Sequence, residues 1–528
     1  MVDPKRVEWL HWRGYSTDSR IDLSGWNEGF SFPAVSLKKI PYCAESFNLL
    51  STLDFNERVK LQENLFESID HSAMACIYMG VMKPSEFELL QNQLKDCTKA
   101  MLRLVQITAQ DGIDGSELAT LLKSINPKQA DYLKSALESS VYFYANQGFN
   151  NPFHNIKNQP LYLDYGVDLL CNGSNFMLSE FQVRYMTPFA HLLSELSDAY
   201  ESTFPDLFLK FGLKKDTYET RRNKHVLECF EKFREVCGKN KELTKVVLDA
   251  WCYRKNRGAS LESTAKSLSA DYVLFDELKA EHNKHEEKYR DKLLAIYNQA
   301  ALNLIDPVDE FYGKLNVEKL EYYDELAWQN LLERYLSGGV YLASPPLTDI
   351  INDKGLSSVI PDIYRVLFGE ELKIPIVNST ACWSYKNHKE ANKAVLEMAK
   401  AEKDKFVISH RYLEGGLGIR VGRTLDQEEW DSFIDAFVAE RPYLYVLRDH
   451  FEMDPDMSLR MLCSASIETL TSDVKSAKLE LSDTIYARFT TTSPLSSDNH
   501  RSFLIFPSAK DGPAPTYEIV ESNSSSAR

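Results

Sequence analysis

The sequence predicts a mixed α/β (α+β) protein, and three features carry that reading. Between about 45 and 145, apolar residues recur three and four apart in FNERVKLQENLFESI, PSEFELLQNQLKDCTKAMLRLVQITA and GSELATLLKSI, the spacing of helices buried along one face. At 160–184 the pattern changes to two β-rich runs joined by Asn172-Gly173-Ser174, a hairpin-type turn. From 300 onward, short strand-like runs alternate with helices.

Taken in order, residues 1–40 are rich in aromatics and Gly (Trp9, Trp12, Trp26, Gly14, Gly25, Gly29) and read as an irregular arm. Pro84 and Ser116 are helix-start signals for the helical stretch that follows. After the hairpin, helices are expected from 186 to about 300. DELKAEHNKHEEKYRDKLLAIYNQ carries opposite charges three to four apart and reads as an exposed helix, with His282 and His285 on a solvated face instead of a metal site. Beyond 300 the expected strands are KIPIV (373–377), KFVIS (405–409), GIRVG (418–422), YLYVL (443–447), SFLIF (502–506) and YEIVE (517–521). HKEANKAVLEMAKAEK and DQEEWDSFIDAFVAE are the helices between them.

Composition bounds the function. The chain has 77 acidic and 61 basic residues, a formal charge of -16, which argues against duplex nucleic acid as its main partner. No apolar run of about 18 residues occurs and the N-terminal MVDPKRVEWLHWRG lacks an apolar leader, so no membrane association and a cytoplasmic location are expected. Nine cysteines, with no two separated by two residues, fit neither a disulfide framework nor a zinc knuckle and read as reduced, mostly buried thiols. Cys382 in STACWSY is read the same way, and the basic cluster Arg221-Arg222-Asn223-Lys224-His225 as a solvated helix face instead of an RNA site.

KFVISHRYLEGGLGIRVG (405–422) is the best local signal: strand, glycine turn, strand. Gly415, Gly416 and Gly418 allow close backbone approach to a phosphate, although a hairpin needing glycine at positive φ accounts for them equally well. The spacing is not the dinucleotide fingerprint, and no Walker lysine, Gly-x-Ser-x-Gly elbow or His-Glu-x-x-His occurs. Upstream, Asp353-Lys354 is read as opening a helix that Pro361 punctuates, and Ile374-Pro375 as entering a strand. Downstream come YLYVLRDHFEM, SLRML, IYARFTTT and TYEIVESN.

In this order the landmarks resemble the ATP-grasp carboxylate–amine ligases. More narrowly they resemble the circularly permuted branch that includes glutathionylspermidine-synthetase-like ligases, in which a Gly-x-Asp-Leu…Glu-x-Asn-x-Arg strand pair precedes the nucleotide core. GVDLLCNGSNFMLSEFQVR (166–184) looks like that pair, and the likeness touches about 160–190 and 330–526. It implies an ATP-grasp-like core with large helical insertions: an N-terminal arm and helical region (1–150), a β-rich metal and phosphate segment (151–190), a helical insertion (191–300) and a nucleotide-binding core (301–528).

The resemblance also implies roles. ATP would enter with Mg2+, a carboxylate and an amine acceptor would be joined, and the oligomeric state is left open. Glu180 with Gln182, or Glu521 with Asn523, or both pairs, would supply metal oxygens. Arg184 would reach a phosphate or substrate carboxylate in a two-pronged contact, and Arg460 and Arg488 would steady the acyl phosphate and its tetrahedral successor. Lys405, Ser409, Arg411 and the three glycines would line the phosphates, while Asp449 or Glu452 would meet the ribose. Two departures bear on this. Ser409 stands where the family strand carries its nucleotide lysine, with Lys405 and Arg411 as substitutes on the same alternating face, and Gln182 replaces the expected Asn. A non-catalytic binding or scaffold protein, and an ATP-dependent protein-modifying transferase, are the alternatives to a ligase.

Overall fold

The computed structural model describes residues 43–48, 74–82, 84–111, 115–146, 156–172, 175–183, 186–203, 205–237, 242–249, 258–274, 289, 292–298, 334–335, 337–384, 387–411, 418–452, 457–490 and 500–507. In chain order, strands β1 (Cys43–Asn48) and β2 (Met74–Met82) precede helices α1 (Pro84–Asp111), α2 (Ser116–Ser124) and α3 (Pro127–Asn146). The hairpin β3 (Leu161–Asn172) and β4 (Asn175–Gln182) leads into α4 (Met186–Thr203), α5 (Pro205–Phe211) and α6 (Tyr218–Cys237). Next come β5 (Leu243–Asp249), α7 (Gly258–Leu268), β6 (Asp271–Leu274), β7 (Leu293–Asn298) and β8 (Val340–Ala343). Helix α8 (Ile360–Phe368) precedes β9 (Ser379–Ala381), β10 (Trp383–Ser384), β11 (Asn387–Ala391), α9 (Lys393–Ala401), β12 (Phe406–His410) and β13 (Ile419–Val421). The chain then runs through α10 (Gln427–Phe433), β14 (Tyr445–Asp449), β15 (Met457–Ile467), β16 (Lys478–Leu481), β17 (Ile485–Thr490) and β18 (His500–Pro507).

The largest sheet has the order β1-β2-β18-β17-β15-β3-β4, with β16 also paired to β15. Alternation gives its central strands two different faces. Tyr165, Val167, Leu169, Leu459 and Met461 share one core with Leu94, Met101 and Val105 of α1. The opposite face carries polar groups under α4 and α6. There Asp164 accepts from Tyr218 at 3.0 Å and from Tyr297 at 2.5 Å, and His225 lies 3.2 Å from the Ser464 hydroxyl.

Among the described residues there are also two four-stranded sheets and a two-stranded pair of β10 with β11. A parallel sheet of order β6-β5-β7-β8 shares a core with α6 and α7 through Val247, Ala295, Tyr341, Phe230 and Leu261. An antiparallel sheet of order β13-β12-β14-β9 packs Phe406, Ile408 and Leu447 against Leu396, Trp430 and Ile434 of the α9 and α10 segment. Helix α9 is capped by Asn392 and α10 by the Asp426–Glu429 capping box, and α10 continues as a π turn over Ile434–Val438.

Several expectations are corrected. The stretch read as helical between 186 and 300 also contains β5, β6 and β7, because LTKVVLD, DYVL and LLAIYN form parallel strands whose sequences lack the alternation of half-exposed ones. KIPIV makes a single bridge, Ile376 to Leu178, instead of a strand. HKEAN opens as β11 before its helix begins, and β2 falls within the region read as helical. Pro361 does not punctuate a helix begun at Asp353-Lys354. Those two residues form a turn between two 3-10 segments, and Pro361 lies in the first turn of α8, where its missing N–H costs nothing. The 221–225 cluster is not a solvated face: Arg222, Asn223 and His225 are buried, and Arg221 reaches Glu480 and Asp483. FNERVKLQENLFESI, YEIVE, His282 and His285 lie outside the described residues.

Candidate functional site

The site grows from an irregularity in the hairpin. Asp168 pairs with Glu180 and Leu169 with Leu178, so Ser179 is an extra residue in β4. Such a bulge frees backbone groups and re-aims side chains. The Ser179 carbonyl accepts from Ser357 Oγ at 3.0 Å and from Arg448 Nη2 at 2.8 Å, and its hydroxyl also accepts from Arg448 at 2.8 Å. Past the bulge, Glu180 shares a rung with Asp168 of β3, which is itself opposite Arg460 of β15. Three neighbouring strands thus set a carboxylate, a carboxylate and a guanidinium side by side.

Each carboxylate has its own cation. Arg460 grips Asp168 with Nε and Nη2, both at 2.6 Å, and its guanidinium lies 4.7 Å from the centre of the Phe189 ring. Burial opposes the charge on Arg460, but Asp168, through charge and hydrogen bonding, raises its pKa above the ordinary guanidinium value. Glu180 accepts from Lys354 Nζ at 2.8 Å and lies 3.8 Å from Arg448. Burial pulls the Arg448 pKa down, and Glu180 compensates only in part.

Lys354 is presented by the turn between the two 3-10 segments. Asn352 Oδ1 accepts the Val183 N–H at 2.6 Å, the Lys354 N–H donates to the Arg411 carbonyl at 3.1 Å, and Gly355 N–H donates to Asp353 Oδ1 at 2.9 Å. Asp353 is in turn buried against Arg411, whose Nε is 3.0 Å away, and accepts from the Tyr132 hydroxyl. The Arg411 guanidinium also lies over Trp383 at 4.6 Å and donates to the Tyr443 carbonyl at 2.8 Å. His410 is buried beside these cations. Desolvation, then Lys354 and Arg411, pull its pKa down to about 3, so it is neutral.

The antiparallel sheet supplies the facing wall. Arg448 is opposite Ser379 on β9, and Ser409 on β12 is opposite Val446. Alternation therefore places Ser379, Arg448 and Ser409 on one face of that sheet. All three are buried, and Ser379 Oγ, Ser409 Oγ and Arg448 Nε have no hydrogen-bond partner among the described residues. The same holds for Asn352 Nδ2 and Gln182 Oε1.

The structure brings together Glu180, Gln182, Ser409 and Arg460 of the sequence candidates. It sets Lys405 apart: the strand begins at Phe406, and Lys405 sits in an exposed 3-10 turn paired with Glu402 at 2.8 Å. Arg411 is past the other end of β12, committed to Asp353. Asp449 is exposed and accepts from Asn378 Nδ2 at 3.2 Å, while Glu452 lies 4.0 Å from Arg423. Gly418 has φ +71 and its carbonyl accepts the His410 N–H at 3.0 Å, so glycine serves the β12–β13 turn. Arg488 is opposite Ser458 and Ser502 in the large sheet. Arg184, Gly415, Gly416, Glu521 and Asn523 lie outside the described residues.

Sequence reasoning missed Lys354 and Arg448 as site residues and quoted Asp168 only within its motif. Asp168 in GVDLL was the one signal that pointed to its place. The donor set decides what the site can hold. Both carboxylates are paired with cations of the chain, and among the described residues no group of three His, Cys, Asp or Glu side chains converges; Glu521 and Asn523 lie outside those residues. Lys354 and Arg448 against one Glu180, with unused donors beside them, suit phosphate or carboxylate oxygens.

Comparison with known proteins finds a family match over part of the chain. Residues 308–469, which include Lys354, Arg411, Arg448 and Arg460, match the family model of circularly permuted ATP-grasp type 2. No curated protein matches the chain. Among solved structures, the chain is similar to a glutathione synthetase-like effector from Globodera pallida in its apo form, at 9% identity and TM-score 0.48, covering 88% of this chain and 99% of that one. It is also similar to a protein described as a gamma-glutamylcysteine synthetase from Methylobacillus flagellatus, at 9% identity and TM-score 0.26, covering 74% and 86%.

Proposed function

We propose that the protein is an ATP-dependent carboxylate–amine ligase. In this reading ATP transfers its terminal phosphoryl group to a substrate carboxylate, ADP leaves, and an amine displaces phosphate from the acyl phosphate to form an amide. The supporting observation is the clustering of Lys354, Arg448 and the Asp168–Arg460 pair around Glu180, with Lys354, Arg448 and Arg460 within the segment that matches the ATP-grasp family. Lys354 and Arg448 hold anionic oxygens, and Arg460 acts by fixing Asp168. No magnesium ligand is assigned among the described residues. The experiment is ADP release measured over paired acids and amines. Turnover that needs both partners and falls at least about a hundredfold in Lys354→Met, with the circular dichroism spectrum unchanged, is expected; ADP release indifferent to acid and amine would remove the reading.

A second reading, binding without ligation, is favoured by Ser409 at the lysine position and by the internally paired carboxylates. Heat on titration with ATP, unaccompanied by ADP under any acid–amine pair, distinguishes it.

A further inference from the structure

Tyr132 stands on α3, outside the segment that matches the family, yet its hydroxyl donates to Asp353 Oδ1 across 221 residues of sequence. Asp353 directly precedes Lys354, and the same Oδ1 accepts the Gly355 N–H at 2.9 Å, which closes a tight turn around Lys354. Its other oxygen accepts from Arg411, whose Nε is 3.0 Å away and whose carbonyl takes the Lys354 N–H at 3.1 Å. A phenol and a guanidinium thus orient the carboxylate from two sides. Tyr132, Asp353, Lys354 and Arg411 are each at least nine-tenths buried, so water does not replace a donor that is lost. The phenol ring is held as firmly as its hydroxyl. It lies 5.1 Å from Trp383, the Arg411 guanidinium is 5.4 Å from its centre, and it leaves no room for a Cβ on Gly355. Packing makes the phenol a fixed point for the turn, and from that turn Lys354 extends to Glu180, 2.8 Å from its Nζ.

We propose that Tyr132 is a positioning residue of the ligase, holding Lys354 in place through Asp353. It touches no reacting group. By keeping Asp353 Oδ1 turned towards the Gly355 N–H, it fixes the backbone on both sides of Lys354, and a small displacement of a group that grips substrate oxygens is costly to turnover. The inference rests on the ligase reading for what Lys354 does and on the contacts for how Lys354 is held. It extends the working site into the N-terminal helical region.

The test uses the full chain and Tyr132→Phe, which keeps the ring and removes the hydroxyl alone. Brief acetylation with acetic anhydride, followed by mass spectrometry, compares Lys354 with Lys403, whose Nζ donates to the Gly422 and Leu425 carbonyls at 3.3 and 3.0 Å. Acetylation of Lys354 is expected to quicken at least about fivefold in the variant while Lys403 keeps the parent rate. An unchanged rate at Lys354, or a parallel rise at both lysines as general loosening would give, overturns the proposal. The second measurement is ATP affinity by calorimetry and, where an acid–amine pair is joined, kcat. At least one should fall roughly tenfold in Tyr132→Phe, and the change should have no further effect once Lys354→Met is present. Equal loss in both backgrounds overturns the proposal, because a merely structural residue acts regardless of Lys354. If the parent neither binds ATP nor joins any acid–amine pair, the ligase reading falls alone, and the acetylation comparison still decides how Lys354 is held.

Discussion

Arg460 and Asp168 occupy the same rung of adjacent strands and meet in a two-pronged ion pair, with Nε and Nη2 each 2.6 Å from a separate carboxylate oxygen. Both are buried, and the pair holds β15 and β3 in register where Glu180 continues the row. Breaking a buried pair strands the remaining charge in a low-dielectric setting and typically costs about 3–5 kcal/mol. Arg460→Met is therefore expected to lower denaturant stability by that order, and Arg460→Lys to recover part of it, because an ammonium cannot reproduce the fork. A double variant Arg460→Met with Asp168→Leu should recover more than either single change. Strict additivity in that cycle would mean the two groups do not act as a pair.

Glu180 provides the sharpest division between a metal-ligand role and a counter-ion role. As a counter-ion it competes with any bound anion for Lys354 and Arg448. Glu180→Gln keeps the shape and removes the charge, so phosphate or ATP should then bind more tightly, by roughly fivefold at an effective protein dielectric. Were Glu180 a magnesium ligand, the same change would instead weaken ATP binding in magnesium and leave binding in chelator untouched. Calorimetry in both buffers reads the difference.

How much of this was legible depends on how local the cause was. The β3–β4 hairpin follows from Asn172-Gly173-Ser174 and the strands around it, all within reach of a sequence window. The bulge at Ser179 has no such signature, because it answers to Arg448 and Ser357, far along the chain. Lys354 looked like part of a helix start, and its meaning comes only from Glu180, 174 residues earlier. Lys405 failed for a smaller reason: alternation was extended one residue beyond a strand that starts at Phe406. Ser409 was read correctly as lacking a lysine's charge, while the neighbouring Arg411 was spent on Asp353.

Stability should peak near pH 6.5 and fall on both sides. His225 and His410 are buried neutral, each with a pKa pulled down to about 3, first by desolvation and then by nearby cations. For a depressed folded pKa, stability is whole above the unfolded value of about 6.5 and is lost as pH falls towards 3, at about 1.4 kcal/mol per pH unit per group. Asp216, raised to about 6 mainly by burial, works in the opposite direction, since its contribution is present below about 4 and is lost as pH rises through 6. Two histidines outweigh one aspartate, so the acid limb still falls. On the alkaline side, hydrogen bonds donated by His191 to Glu195 and Glu219 raise its pKa to about 10, and that contribution is lost as pH rises towards 10. A chemical-denaturation series from pH 4 to 9 checks the shape, and His225→Gln should flatten the acid limb.

Two glycines are expected to resist alanine for different reasons. Gly369 ends α8 with φ +73 in open space, so Gly369→Ala meets only backbone strain, costing about 1 kcal/mol. Gly355 has ordinary backbone angles, yet an added Cβ would collide with the Tyr132 ring and hydroxyl. Tyr132 cannot step aside cheaply, because its hydroxyl is bound to Asp353 and its ring lies 5.1 Å from Trp383. Gly355→Ala should therefore cost about 1–3 kcal/mol as overpacking and should also disturb the turn that presents Lys354. The second effect separates the two variants: anion binding beside Lys354 should weaken in Gly355→Ala and stay at the parent level in Gly369→Ala. Combining Gly355→Ala with Tyr132→Leu should be less damaging than the sum of the separate changes, and a simple sum would show that the collision is not the cause.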